Sequence, residues 1–364
     1  MSYKLRNKLE ISISITQDSN IVDVPLDKYC ALSELNITES TKYTVPLLYL
    51  ELQDASRFFT SNPLADGQLL TVSILTNGIA LQQSKYRVYS FKTRFTGTAV
   101  TVQIDAYLDC PKYWFESSFN TYNNNTSSII SEIASRCNLK SDVVVTNDKQ
   151  LWCQGNMTNS KFCRYLAKHG YKTSSSYMVL ALNAKGTLIY RDVNNLKNDG
   201  YFNVTQYTQV ENSYTATDVQ VSSISGLNNC IGGGYGISLL DQQKNKIHDS
   251  LTVSKSIDYN TEIAKAIRQS IVRFSNIRPD VSSNFWLGTY QNSRFSKLFS
   301  TEASMIINSY TQITLLNRIN LTALLYDGTP DKINSGEYIV DTRTIIIRGV
   351  NYAERITACR LGRS

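Results

Sequence analysis

Pro111-Lys112-Tyr113-Trp114-Phe115, Ser128-Ile129-Ile130-Ser131-Glu132-Ile133 and Phe162-Cys163-Arg164-Tyr165-Leu166-Ala167-Lys168-His169-Gly170-Tyr171 are the segments on which the fold turns. The first is an aromatic hinge at the end of a strand. The second follows the polar run Asn123-Asn124-Asn125-Thr126, and its Ile129, Ile130, Ile133, Ala134 and Cys137 recur at helical spacing. The third follows Thr158-Asn159-Ser160, any of which can cap the free amides of a first helical turn. It sets Phe162, Tyr165, Leu166 and His169 on one face and stops at Gly170, which suits a left-handed cap. Two short helices are therefore predicted at about 127–137 and 159–169, joined through the extended Val143-Val144-Val145.

Working outward, the flanks read as strands. Leu9, Ile11, Ile13 and Ile15 alternate with polar residues, the mark of a strand with one wet face. Residues 45–52 are apolar but contain Pro46, which predicts an edge strand or a bulge. Leu70, Val72 and Ile74 alternate up to Asn77-Gly78, a hairpin signal. Residues 86–91 and 99–106 pair around Gly97, so the first hundred residues suggest a small barrel or sandwich. Beyond the helices, 177–182 and 187–190 form a hairpin around Lys185-Gly186, and 191–213 reads as mixed loop. Strands are expected at 217–221 and 251–257. A third helix is expected from Asn260-Thr261, with Ile263, Ile267, Ile271 and Phe274 on one face and Pro279 at or beyond its end. A fourth short helix is expected at 301–310. Strands follow at 313–326, 337–350 and 355–361.

The end of the chain repeats part of its beginning. With an offset of 252 residues, 69–106 lies over 321–358 without a gap. Leu69 meets Leu321, Tyr86 meets Tyr338, Val88 meets Val340, Gly97 meets Gly349, Ile104 meets Ile356 and Ala106 meets Ala358. The identities fall on a Tyr-x-Val strand, a Gly turn and an Ile-x-Ala strand. One barrel present twice is the reading this supports. Glu354 interrupts the apolar face of the second copy, which points that position to a wet rim or a partner.

The hinge, the Ser-Ile-Ile-x-Glu-Ile helix, Leu151-Trp152-Cys153-Gln154 and the helix through His169-Gly170-Tyr171 resemble the baseplate hub proteins of contractile phage tails. The late control protein D family and the hub part of type VI secretion spike proteins are similar. The resemblance covers roughly 60 residues well and the rest by layout. It implies a helical pair between two related β-barrels, and a homotrimeric ring between the last tail-tube ring and the central spike. It further implies a lumen that passes DNA or the tape-measure protein. Ser335-Gly336-x-Tyr338-x-Val340 and a closing Arg360 fit the family, whereas the His that many members carry after the Val is absent, with Arg343-Thr344 nearby. No spike repeat or lysozyme-like domain is recognised, so a separate spike protein is expected.

Composition narrows the chemistry. Among 364 residues, 18% are charged and 23 are Tyr, which favours strands with polar faces. The net charge of +7 is spread along the chain without a basic block, the pattern of a soluble protein with a modest surplus rather than of a nucleic-acid binder. Seven cysteines without Cys-x-x-Cys spacing argue against a disulfide framework and for synthesis in a reducing compartment. The alternating N-terminus is a strand and not a signal peptide, and no run approaches the ~18 apolar residues of a membrane span. The two histidines, His169 and His248, stand apart, with Asp249 beside the second. No Gly-x-Ser-x-Gly elbow occurs, and neither histidines nor cysteines cluster as zinc ligands. Gly232-Gly233-Gly234-Tyr235-Gly236 lacks the Lys-Ser/Thr and the helix that a phosphate loop needs.

The expected fold is α+β and mainly antiparallel β. Its domains are a first β-barrel at 1–110, a helix-containing middle at 111–212 and a second β-barrel with inserted helices at 213–364. The expected role is a structural tail baseplate hub in the virion, assembled in the host cytoplasm, with no catalytic, cofactor-binding or metal residues. Its partners are two further copies, the tail-tube ring and the central spike. The alternatives are a receptor- or carbohydrate-binding tail module, suggested by the many Tyr, Trp and Asn residues, and a tail-associated wall hydrolase, suggested only by the tail context.

Overall fold

The computed structural model describes residues 3–5, 8–17, 19–173, 176–193, 196, 200–223, 235–241, 246–252, 273–275 and 301–360. The first part contains β1 (Tyr3–Lys4), β2 (Leu9–Gln17), β3 (Asn20–Asp23), β4 (Cys30–Ser40), β5 (Leu47–Asp54), the single-turn helix α1 (Phe58–Ser61), β6 (Leu69–Thr76), β7 (Ile79–Thr96) and β8 (Ala99–Leu108). The alternation in β2 is realised: Leu9, Ile11, Ile13 and Ile15 are buried. Asn77 and Gly78 both take positive φ, at 47° and 76°, and turn β6 into β7 with Thr76 opposite Ile79. Only at such positions is the left-handed backbone cheap. Pro46 does not mark an edge. It lies just before β5, which is paired on both sides, by β4 and β8, and there its missing N–H interrupts no ladder.

The middle part contains α2 (Pro111–Trp114), β9 (Ser117–Asn124), α3 (Thr126–Arg136), β10 (Lys140–Val143), β11 (Gln150–Thr158), α4 (Asn159–His169), β12 (Met178–Leu182) and β13 (Thr187–Asp192). Both predicted helices are present, and Ile129, Ile130, Ile133, Ala134, Phe162 and Leu166 are buried. Thr158 caps α4 by accepting from the Lys161 amide at 3.3 Å. The start of α3 is capped from outside its own chain neighbourhood. Asp148, itself buried, accepts from the Thr126 amide at 2.9 Å and its hydroxyl at 2.5 Å, an anion on a helix N-terminus.

Gly170 is not a left-handed cap. Its φ is −72° and ψ 151°, ordinary extended values. Its lack of a side chain is required by space instead: a methyl group there would land on the Tyr190 hydroxyl and come within 2.5 Å of Thr126 Oγ1 and 2.8 Å of Asp148 Oδ2.

The last part contains β14 (Tyr201–Gln206), β15 (Ser213–Ser223), β16 (Tyr235–Asp241), β17 (Lys246–Thr252), β18 (Arg273–Ser275), β19 (Thr301–Ile307), β20 (Arg318–Thr322), β21 (Gly336–Arg348) and β22 (Asn351–Arg360). Strands β20, β14, β15, β19, β22 and β21 pair in that order, and β21 returns to β20, closing a six-stranded barrel. Two expectations fail here. Segment 301–310 holds a strand and not a helix: Thr301, Ala303, Met305 and Ile307 are buried in alternation between β15 and β22. Cross-strand pairing overrides the helical propensity of Glu302-Ala303-Ser304-Met305. Within the supposed loop 191–213 lies β14, parallel to both β15 and β20. The helix expected from residue 260 lies outside the described residues apart from β18, and Gly232, Gly233 and Gly234 lie outside them as well.

The repeat is explicit in the topology. The first six principal strands run β2-β6-β7-β8-β5-β4, and the second six run β14-β20-β21-β22-β19-β15. The hairpins match pair for pair. Thr96 faces Ala99 as Arg348 faces Asn351, and each hairpin carries a β-bulge at the same place, between Val88 and Ser90 in one and Val340 and Thr342 in the other. The preceding strand needs a gap, however. Leu70 faces Tyr86, but it is Ile319 that faces Tyr338, so the match of Leu69 with Leu321 slips by three residues. The two sheets differ in their first strand and in closure: β2 is antiparallel to β6 whereas β14 is parallel to β20, and β14 pairs β15 whereas among the described residues no pairing joins β2 to β4.

Candidate functional site

The free side of β4 is taken by the second copy. Glu34 to Ser40 pair antiparallel with Thr342 to Arg348, so β21 belongs to both sheets. Its first residues pair with β20, and its remainder crosses to β4. Ile345, Ile347 and Tyr352 consequently pack into the hydrophobic core of the first barrel.

At this joint sits a buried ion cluster. Glu354 is fully buried and is not on a wet rim. It receives the Arg343 guanidinium through Nε and Nη2, both at 2.9 Å, the fork geometry favoured for arginine and carboxylate. It also accepts from the Tyr352 hydroxyl at 2.6 Å, the Thr311 amide at 2.9 Å and the Thr311 hydroxyl at 2.6 Å. The second carboxylate, Glu39 on β4, stands 3.6 Å from Arg343 Nη1 and accepts from the Ala184 amide at 2.6 Å. One cluster thus ties together β4, β21, β22 and the β12–β13 turn. Burial raises the Glu39 carboxyl above its usual range, against the pull of Arg343. Burial acts to lower the Arg343 pKa, but Glu354 and Glu39 outweigh it, and the guanidinium is held firmly charged.

On the opposite face of the joined sheet runs an unbroken polar wall. One cross-strand row reads Lys92, Gln103, Glu51, Glu34, Arg348 and Asn351 over β7, β8, β5, β4, β21 and β22. Gln103 Nε2 donates to Glu51 at 2.9 Å, and Arg348 Nη2 to Glu34 at 2.9 Å. Hydrogen bonds from Asn36 and then from Arg348 hold the Glu34 carboxyl below its usual range. A shallow groove of about 590 Å³ opens beside this row, lined by Glu51, Gln53, Lys92, Arg94, Thr101 and Gln103 among others. Thr38 and Thr344 then Ser40 and Thr342 continue the ladder across the joint at 3.3 and 2.7 Å.

The sequence candidates for chemistry stay separate. His169 ends α4 with Nδ1 2.7 Å from the Tyr165 carbonyl, and burial lowers its pKa. His248 lies in β17 opposite Leu239, in a sheet apart from the large one. Among the described residues no three of His, Cys, Asp and Glu come together as a metal site, and no helix is long and apolar enough to cross a membrane. The six described cysteines are free, with Cys153 exposed and the others buried. Sequence reading missed the ion cluster. Its available signal was a pair of opposite charges at inward positions of two strands already expected to pair.

A closed six-stranded barrel and an open sheet of the same strand order, joined edge to edge around a helical insert, are the frame on which known structures can be compared. The 43 kDa tail protein of prophage MuSo2 from Shewanella oneidensis superposes with a TM-score of 0.63 at 11% identity, over 96% of this chain and 98% of that one. The tail protein from Neisseria meningitidis MC58 gives 0.61 at 7% identity, with 97% of each chain covered. The Escherichia coli c3393 protein, a type VI secretion component with structural similarity to the T4 tail proteins gp27 and gp5, gives 0.50 at 10% identity, over 96% of this chain and 77% of that one. Comparison with protein families and with curated proteins gives no match. The chain therefore has the fold of these phage tail and type VI secretion proteins, as the hub resemblance implies.

Proposed function

We propose that the protein is the baseplate hub of a contractile tail, a trimeric ring that joins the tail tube to a separate central spike. The observation that carries this reading is the closed barrel and the open sheet that share one strand order, joined through β4 and β21. Three such chains present six quasi-equivalent barrels, so a threefold spike meets a sixfold tube on closed symmetry. In this ring the polar wall through Lys92, Glu51, Glu34 and Arg348 lines a lumen that passes DNA or the tape-measure protein. Its mixed signs keep a polyanion from binding tightly. The domains of this reading are the barrels at 1–110 and 213–364 about a middle unit at 111–212, which lends β14 to the second barrel. The protein acts in the virion baseplate after assembly in the host cytoplasm. It has no catalytic centre and needs no cofactor in this reading, which the placement of His169 on α4 and of His248 on β17 supports.

Negative-stain images of the purified protein, alone and with its tube and spike proteins, test the reading. Rings with a central hole and six peripheral densities are expected. Compact particles without a hole in every mixture would refute it, and glycan binding by such particles would point to a receptor-binding module instead.

A further inference from the structure

The duplication identifies a strand edge that no described residue covers. In the second copy, β21 residues 342–348 leave β20 and pair with β4. Their counterparts in the first copy are β7 residues 90–96, as the shared bulge and hairpin register fix. Among the described residues these pair with β8 on one side only, because the β6 pairing ends with Leu69 opposite Arg87. Arg343, Ile345 and Ile347 are buried beneath β4, whereas their counterparts Phe91, Thr93 and Phe95 are exposed, Phe95 to 78%.

The counterpart of β4 is β15. Leu48 and Ala303 mark the correspondence, for they face Ala106 and Ala358 at equivalent places, and they face Ile37 on β4 and Val221 on β15. Where β4 meets β21, the far edge of β15 has no pairing among the described residues beyond Ala216, the last residue matched to β14. The molecule thus carries both halves of a joint like its own internal one, one on each barrel.

We propose that Phe91–Thr96 pairs antiparallel with Asp218–Ser223 of a second copy, repeating between chains the β21–β4 joint made within one. The proposal rests on the ring reading and supplies its register. Transferring the pairs of Ile345 with Ile37 and of Thr344 with Thr38 places Thr93 opposite Val221 and Lys92 opposite Ser222 of the second copy. Phe95 then reaches Val219 and Val221, which already pack against the core of the second barrel. Ser222 is small and lies opposite Glu302, so Lys92 finds a carboxylate one strand beyond its partner. Edge pairing of this kind supplies main-chain hydrogen bonds, and the alternate side chains set the register. It also removes an open edge that would otherwise promote aggregation.

The test is a cysteine pair, Thr93→Cys with Val221→Cys, in a Cys153→Ser, Cys230→Ser background that removes the exposed thiol among the described residues and the one that lies outside them. Mild oxidation should give disulfide-linked dimers and trimers on a denaturing gel, reversed by a thiol reductant. The out-of-register pair Thr93→Cys with Thr215→Cys should give none. Separately, Phe91→Asp with Phe95→Asp should weaken association at least tenfold, read by mass photometry, with an unchanged thermal melt because both rings are exposed in the monomer. A ring that forms without the 93–221 link, or that links equally at 93–215, overturns the register and leaves the hub reading standing. A chain that neither links nor associates, alone or with its tube and spike proteins, overturns both.

Discussion

Replacing Glu354 by alanine tests the joint most directly. The carboxylate is fully buried and accepts five hydrogen bonds, two of them from Arg343. Its loss leaves the Arg343 guanidinium, itself 2% exposed, with only Glu39 at 3.6 Å. It also strands the amide and hydroxyl of Thr311. Breaking one side of a buried pair costs roughly 3–5 kcal/mol, which is about 10² to 10³·⁵ in the folding equilibrium. Urea unfolding followed by circular dichroism should therefore show a clear fall in midpoint. Glu354→Gln should fall between the parent and the alanine variant, because the amide still accepts from Thr311. The double variant Arg343→Met with Glu354→Leu should recover only part of the loss, since it removes the unpaired guanidinium but leaves the Thr311 amide and hydroxyl without an acceptor and Glu39 without its cation. A loss below about 1 kcal/mol for Glu354→Ala would refute the reasoning, because it would mean that water reaches the cluster.

Leu166 is fully buried on α4, so Leu166→Ala should cost about 2–5 kcal/mol in the same assay. A value below half a kcal/mol, typical of surface sites, would show that face to be exposed. Gly170→Ala must displace the Tyr190, Thr126 and Asp148 network and should lose about 1–3 kcal/mol; a neutral or stabilising result would show that the network yields freely. Glu39 gives a pH signature. Its folded pKa is raised by burial, so its contribution is fully present below its unfolded value of about 4.3 and is lost as pH rises through the folded value. Glu39→Gln, which keeps the acceptor for the Ala184 amide, should gain stability relative to the parent as pH rises above about 4.3. A Glu39→Gln variant that loses stability relative to the parent as pH rises would contradict the direction of the shift.

Local rules made much of this fold legible. Alternation in β2, the Asn77-Gly78 turn and the apolar faces of α3 and α4 each follow from a period that a short segment displays by itself. The hairpin of β21 and β22 was also readable, since its bulge and turn repeat those of β7 and β8. What stayed hidden depends on neighbours far away in sequence. Residues 301–307 become a strand because β15 and β22 flank them, and β14 forms because β15 and β20 accept it as a parallel partner. Gly170 is glycine because of Tyr190 and Asp148, not because of its own backbone angles. Glu354 looked like a break in an apolar pattern, since its match with Arg343 is visible only when both strands are folded into the same interior.

The crossing of β21 onto β4 also sets a timetable. Ser40 and Thr342, joined in the finished sheet, are 302 residues apart. At about 5–20 residues per second, translation leaves roughly 15–60 s between the appearance of β4 and that of its partner. Throughout that interval a nascent first barrel presents Leu35, Ile37 and the open edge of β4 without the strand that covers them. Long-range pairing of this kind is slow to form even once both strands exist. Residues 342–348 must therefore seal a surface made about 300 residues earlier, and a ribosome that stalls before them releases a chain with a ready template for cross-chain aggregation.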